Sequence, residues 1–505
     1  MNRFCLPKHL PAALLMATAL PCCGAEPAAV VPTLGLLPQA GCSTEPLKGK
    51  REFAVGPGQR YAELEKVPWL SLRAGDVVNI YYRPEPYRTK LVISAQGTAR
   101  APVVINGVTD ADCHRPEITG ENAVPSDDVV RNRYFNQWTE PLATILIWGP
   151  WGQKPSFIEL RNLRITGGRA NVTYHTQDGK TAQFGNGSAG VHAATVEDLL
   201  IENCDVTGNG NGIFVNTKND SEQEASRRVT LRRNLVYLNG NPGSWLEHNL
   251  YVQAARVVYE GNYIGQLVPG AVGSSLKDRS SGTIVRYNYI VAAARALDLV
   301  ESEGGSTSVM VDPEYNDAWV YGNVIVSDHD NPGVSSSKLI HWGGDNSPKL
   351  FRTGTLHFYY NTVVTRADHA QVWRLHVFDL PSDQQQVEML GNVFWHIGSA
   401  SYELGEDAGR LHFIGTNWIS RGWAKGHDGG NTVTVTNDGK LIEGDNPGLG
   451  AGFVPLAGSP LIDAGSGAPA ELAQRWVEQQ PDGRGGMAPR KVTGAALDLG
   501  AMERP

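Results

Sequence analysis

The sequence predicts an all-β chain wound as a solenoid. Three observations point to that fold class. Asparagine closes a short apolar run nine times, at Asn162, Asn203, Asn234, Asn262, Asn288, Asn323, Asn361, Asn392 and Asn417. The intervals vary between 25 and 41 residues, which describes one rung repeated with loops of unequal length inserted. Apolar residues flank each asparagine in similar register, as in VVYEGNYI and TIVRYNYI, so the unit is strand–Asn–strand. Asparagine suits such a bend because it tolerates the left-handed conformation, and stacked asparagines can pair as a ladder.

The elements follow in chain order. Residues 1–25 have a basic start at Arg3 and Lys8, an apolar stretch Pro11–Leu20 and the small-residue site Cys23-Gly24-Ala25. They read as a secretory signal peptide, too short in its apolar part to span a bilayer. Cys22 and Cys23 leave a lipid-anchored variant open. Residues 26–50 are rich in Pro, Gly and Ala and read as a flexible tether. Residues 51–445 hold the β-helical rungs, opened by a cap with a short helix-like run, Tyr61–Val67. A cap is needed because an open end exposes edge strands and core. Residues 446–505, with a helix-like stretch Pro469–Gln480, read as a C-terminal covering segment.

Without the leader three cysteines remain, Cys42, Cys113 and Cys204, enough for one disulfide in an oxidising compartment. Cys42 and Cys113 both precede the asparagine series, whereas Cys204 lies in a strand and reads as a buried apolar residue. No Cys/His zinc spacing occurs. The formal charge is −8, and loss of Arg3 and Lys8 with the leader makes it −10. That balance argues against nucleic acid or an anionic membrane as partner. The expected chain is a secreted or periplasmic monomer.

Several blocks then resemble a known family: GPGQRY and RPEPYR near the start, EHNLYVQAARVVYEGNYI, SLKDRSSGTIVRYNYI and LDLVESEGG in the middle, and GSPLIDAG with LDLGAME at the end. They are similar to secreted bacterial right-handed parallel β-helix proteins, over nearly the whole chain after the leader. The resemblance implies that fold and an acidic polysaccharide as partner. Related β-helices include pectate, alginate and chondroitin lyases, uronate epimerases and glycosidases, so fold alone does not choose the reaction.

The asparagines also serve as a ruler. Setting Asn262 against Asn288 stacks Lys277 beside Tyr251 and Leu276 on Leu250. Side chains alternate along a strand. With Leu250 and Val252 inward, Asn249, Tyr251 and Gln253 are expected outward, with Lys277, Arg279, Asp298, Phe214 and Asn216 on neighbouring rungs and His248 at the edge. β-Elimination at a uronic acid needs the carboxylate neutralised, a base for the adjacent proton and an acid for the leaving oxygen. The expected roles are Lys277 as base, Arg279 as carboxylate clamp, and His248 or Tyr251 as acid. Asn249, Asn216, Asp298 and Trp245 are expected to bind substrate, with Trp342, Trp373 and Tyr315 as further stacking candidates.

SSLKDRSSG is similar to the strand that carries the lysine base in β-helical alginate and chondroitin lyases. There two acids before the lysine help hold calcium and a later rung supplies an arginine. Here Gly273, Ser274 and Ser275 precede Lys277, and LDLVESEGG has no arginine. Calcium, if used, is expected at Asp298, Glu301 and Glu303. The alternatives are a hydrolase using Glu247, Asp278, Asp298 or Glu301, an epimerase on the same face, or a non-catalytic carbohydrate-binding protein. His192, His341 and His376 read as structural.

Overall fold

The computed structural model describes residues 41–129, 135–150, 152–217, 225–305, 307–331, 334, 337–426, 433–482 and 486–505. The leader and residues 26–40 lie outside them. The chain is a right-handed parallel β-helix. Its strands stack into three all-parallel sheets of thirteen, twelve and eleven strands. Each coil visits them in turn. Arg227–Arg232 lies in the thirteen-stranded sheet, Leu235–Tyr237 in the eleven-stranded one and Leu250–Val252 in the twelve-stranded one, and Ala255–Glu260 begins the next coil. Inward side chains of all three sheets form one continuous core, from Phe53 and Val55 through Val257 and Leu297 to Leu411 and Phe413.

The asparagine series is a hydrogen-bonded ladder, but not in the single register the sequence suggests. From Asn234 onward the asparagines are buried at the corner between the thirteen- and eleven-stranded sheets. Each amide Nδ2 donates to the Oδ1 of the next: Asn262 to Asn288 at 2.9 Å, Asn288 to Asn323 at 2.9 Å, Asn392 to Asn417 at 3.0 Å. The same Oδ1 accepts the backbone N–H of the preceding asparagine. The left-handed residue is the one before, such as Arg233, Gly261, Tyr287, Gly322 and Tyr360. Asn162 and Asn203 are displaced by one position. They are themselves left-handed, with φ of 58° and 53°, and Cys204 occupies the inner place, donating its N–H to Asn234 Oδ1. Strand pairing fixes this offset, since Glu202 opposes Arg232.

The displaced pair belongs to a second, outer ladder. Asn203 donates to Asn162 at 2.6 Å, Asn162 to Asn106 at 2.7 Å and Asn106 to Asn79 at 3.0 Å. Residues 41–50, expected as part of the tether, are laid along it. Gly41 exchanges two hydrogen bonds with the Asn203 amide and Leu47 two with Asn79. Cys42 and Cys113 form a disulfide that ties this segment down. Cys204 is buried, and burial pushes its thiol up to about 11.

The N-terminal end is plugged by two short 3-10 turns, Leu64–Lys66 and Trp69–Ser71, which bury Leu64, Val67 and Trp69. At the other end the chain after residue 445 turns back along the outside. Its backbone carbonyls accept the hydroxyls of Tyr287, Tyr359 and Tyr360, and Trp476 stacks on Tyr359. The helix-like stretch is a 3-10 segment, Ala470–Arg475.

Removing one inner amide strands a backbone N–H, a carbonyl and a neighbouring amide in the core. Asn288→Ala is expected to cost about 3 kcal/mol or more, against about 1 kcal/mol for the half-buried Asn162→Ala. Denaturant midpoints of the two variants check the difference.

Candidate active site

The outer face of the twelve-stranded sheet carries the candidate residues. Its pairing matches the register expected from Asn262 and Asn288: Leu250 opposes Leu276, Tyr251 opposes Lys277, and Lys277 opposes Asp298. The outward row reads His192, Phe214, Tyr251, Lys277, Asp298, His341, Asp379, Glu406. Strands Leu250–Val252 and Leu276–Asp278 are only three residues long. Alternation therefore ends at Leu250, and Asn249 lies in the bend before it. Asn249 is buried, accepting from Asn239 and donating to Gly265 O, so it does not reach the face.

Lys277, Arg279 and Tyr251 come together with a residue the sequence reading missed, Asp345. Lys277 Nζ lies 2.6 Å from Asp298 Oδ2 and 2.9 Å from Asp345 Oδ2. Arg279 Nη2 lies 3.2 Å from both oxygens of Asp345. Its Nε donates to the Tyr251 hydroxyl at 3.1 Å, and its Nη1 to Glu301 O at 2.8 Å. The Tyr251 hydroxyl in turn donates to Glu303 Oε2 at 2.6 Å. Asp345 sits on the loop after strand Lys338–Trp342, beyond any pattern the asparagines mark.

Charge is the main occupant of this face. Burial pushes the Asp298 carboxyl up, but His341 at 2.9 Å and Lys277 outweigh it and hold it well below the usual range. Burial likewise opposes the ionised forms of Asp345 and Arg279. Lys277 and Arg279 overcome it at Asp345, which is lowered; Tyr251 and Asp345 overcome it at Arg279, which is raised. Burial raises the Tyr251 hydroxyl. His248 is buried and its pKa is pushed down to about 3, first by burial and then by Lys277. Its Nδ1 accepts the Ser274 N–H at 2.8 Å, which places the proton of the neutral ring on Nε2. The His248 and Tyr251 rings meet edge-on at 5.2 Å.

The remaining expectations divide. Asn216 is on the face, half-buried, and accepts from His192 Nε2. Trp245 is 71% exposed and Trp373 66%. Trp342 and Tyr315 are buried: Arg352 covers Trp342, and the Tyr315 hydroxyl bonds Leu350 O. His341 and His376 are buried and hydrogen-bonded, as the structural reading expects. They lie on the face, His341 bonded to Asp298 and His376 to Glu403.

Asp298, Glu301 and Glu303 do not form a calcium cage. Asp298 is taken by Lys277 and His341, and Glu301 accepts three consecutive N–H groups, from Asp345, Asn346 and Ser347. Among the described residues the compact metal-competent group is Asp110, Asp112 and His114, away from this face.

No protein-family model and no curated protein sequence matches the chain. Solved structures share its coil at low identity. An alginate lyase from Paenibacillus sp. is 12% identical with a TM-score of 0.40, covering 68% of this chain and 92% of its own. A pectate lyase is 11% identical, TM-score 0.34, over 91% and 98%. The lacto-N-biosidase of Eubacterium ramulus is 10% identical, TM-score 0.35, over 78% and 68%. Likeness at this level says nothing about the reaction.

The depressed pKa of His248 has a consequence for stability. Between its ordinary value of 6.5 and about 3 the unfolded chain binds a proton that the folded chain does not. Stability therefore falls as pH drops through that window. His192 and His396, each lowered to about 4 by burial, act in the same direction. His248→Asn is expected to flatten part of this loss, measured as the denaturant midpoint against pH.

Proposed function

We propose that this face cleaves a uronic-acid-containing polysaccharide by β-elimination. The observation that supports it most is that Lys277 and Arg279 jointly hold one carboxylate, that of Asp345. A uronate carboxylate needs the same donors to neutralise it while its neighbouring carbon loses a proton. A substrate carboxylate is expected to take the place of Asp345, whose side chain is 21% exposed.

On this reading we move Lys277, expected from the sequence to be the base, to the clamp. Bonded to two carboxylates, its ammonium serves the clamp rather than the base. Tyr251 is the proton-transfer group. As its O–H proton passes to Glu303, its oxygen takes the proton beside the uronate carboxylate, with Arg279 Nε stabilising the phenolate. The electrons freed form the carbon–carbon double bond as the bond to the leaving oxygen breaks. Tyr251 then gives the proton it took to that oxygen and recovers its own from Glu303, and His248 Nε2–H is a second donor.

The four carboxylates the sequence offered for a hydrolase serve that alternative less well. Glycoside hydrolysis needs two carboxyl groups facing the sugar. Asp278 points inward and is bonded to Tyr259, Ser280 and Thr283, and Glu247 is buried against the Gly187 N–H. Asp298 and Glu301 are held as described. The Cys42–Cys113 disulfide supports an exported setting. Among the described residues no helix is long and apolar enough to cross a membrane.

The test is ultraviolet absorbance of an unsaturated uronate during incubation with alginate, polygalacturonate or chondroitin. New reducing ends without that absorbance would sink the lyase and favour hydrolysis. Tyr251→Phe is expected to lower the rate by about 100-fold or more. Arg279→Lys, which loses the two-pronged grip, is expected to raise KM.

A further inference from the structure

The outward row of the twelve-stranded sheet does not begin in the open. On strands Thr89–Ile93 and Ala143–Ile147 the row positions are Val92 and Leu146, paired in register with each other and with His192. Both are buried under Val129 and Phe135, with Leu142 and Trp148 packed beside them. This cluster is separate from the coil's interior core. Lys90, outward on the same strand, is also covered. Its ammonium donates to the backbone carbonyls of Glu140 and Ala143 and lies 4.0 Å from the Tyr174 ring and 4.1 Å from that of Phe184. Two independent segments therefore cross the face at this end: the stretch leading into residue 143, and the hairpin formed by Thr173–His175 and Thr181–Gln183.

Among the described residues the face opens at Phe214 and Asn216, both half-buried. From Lys277 back to Phe214 is two strand spacings, about 10 Å. In the other direction the row continues through Asp298, His341 and Asp379 to Glu406, four spacings or about 19 Å. Exposed Trp373 stands at the entry to strand Arg374–Leu380 on that side.

We infer that the groove is closed beyond His192, and that the enzyme works from a chain end, releasing a short oligosaccharide of fixed size. This rests on the lyase reading above. A polymer lying across Tyr251 and Lys277 meets Val129 and Phe135 over Leu146, four strand spacings or about 19 Å from Lys277. The walled side of the groove therefore takes a terminal fragment, and the other side the rest of the chain.

The experiment is a time course of products from alginate, polygalacturonate and chondroitin, sized by chromatography, with viscosity followed in parallel. A single short unsaturated product from the earliest times, with viscosity falling late, is expected. At equal mass, shorter chains should react faster in proportion to their number of ends. An early ladder of long unsaturated oligomers would overturn the closed groove and leave the lyase standing. No unsaturated product from any polymer would overturn both.

Discussion

The buried asparagine ladder is the constraint on which the rest depends. A coil of three short strands has few bonds to fix its phase relative to the next coil. Each inner amide removes that freedom, because its Oδ1 takes two N–H donors from the coil before and its Nδ2 reaches a backbone carbonyl there as well as the next amide, as at Asn288. A slip of one residue would break all four bonds and turn every outward side chain inward. The stacking of Tyr251 on Lys277, on a different sheet of the same coils, inherits its register from this corner.

That dependence explains how much the sequence made legible. Asn262 and Asn288 both occupy the inner position, so aligning them placed Lys277 and Tyr251 correctly. Asn203 and Asn234 do not. The same alignment there is wrong by one residue, because Asn203 takes the left-handed place and Cys204 the inner one. Nothing in the residue type separates the two cases, since asparagine suits either place. Alternation failed for a different reason at Asn249: a strand of three residues has no fourth position to alternate into. Asp345 was illegible because it comes from a loop whose path is set by Glu301, fully 44 residues earlier.

The site gathers buried charges of both signs, an arrangement that contributes little net stability but penalises loss of any one member. Asp298, Lys277, Asp345, Arg279 and Glu301 form a connected set in which every charge faces an opposite one. The value of such a set lies in what it holds in place rather than in its contribution to folding. It holds two cationic donors, side by side and dehydrated, on a face otherwise rich in acids.

A clamp already filled by an internal carboxylate looks at first like an obstacle to substrate. The charge count argues otherwise. A uronate that displaces Asp345 substitutes one carboxylate for another, so Lys277 and Arg279 never face an unpaired buried charge during the exchange. The loop need not unfold for it. Glu301 grips the backbone N–H groups of Asp345, Asn346 and Ser347, not the Asp345 side chain. Rotation of that side chain toward solvent leaves the three bonds intact. On the proposed lyase reading, Asp345 keeps the donors oriented until a carboxylate of the same shape arrives, which is the preorganisation that electrostatic catalysis requires.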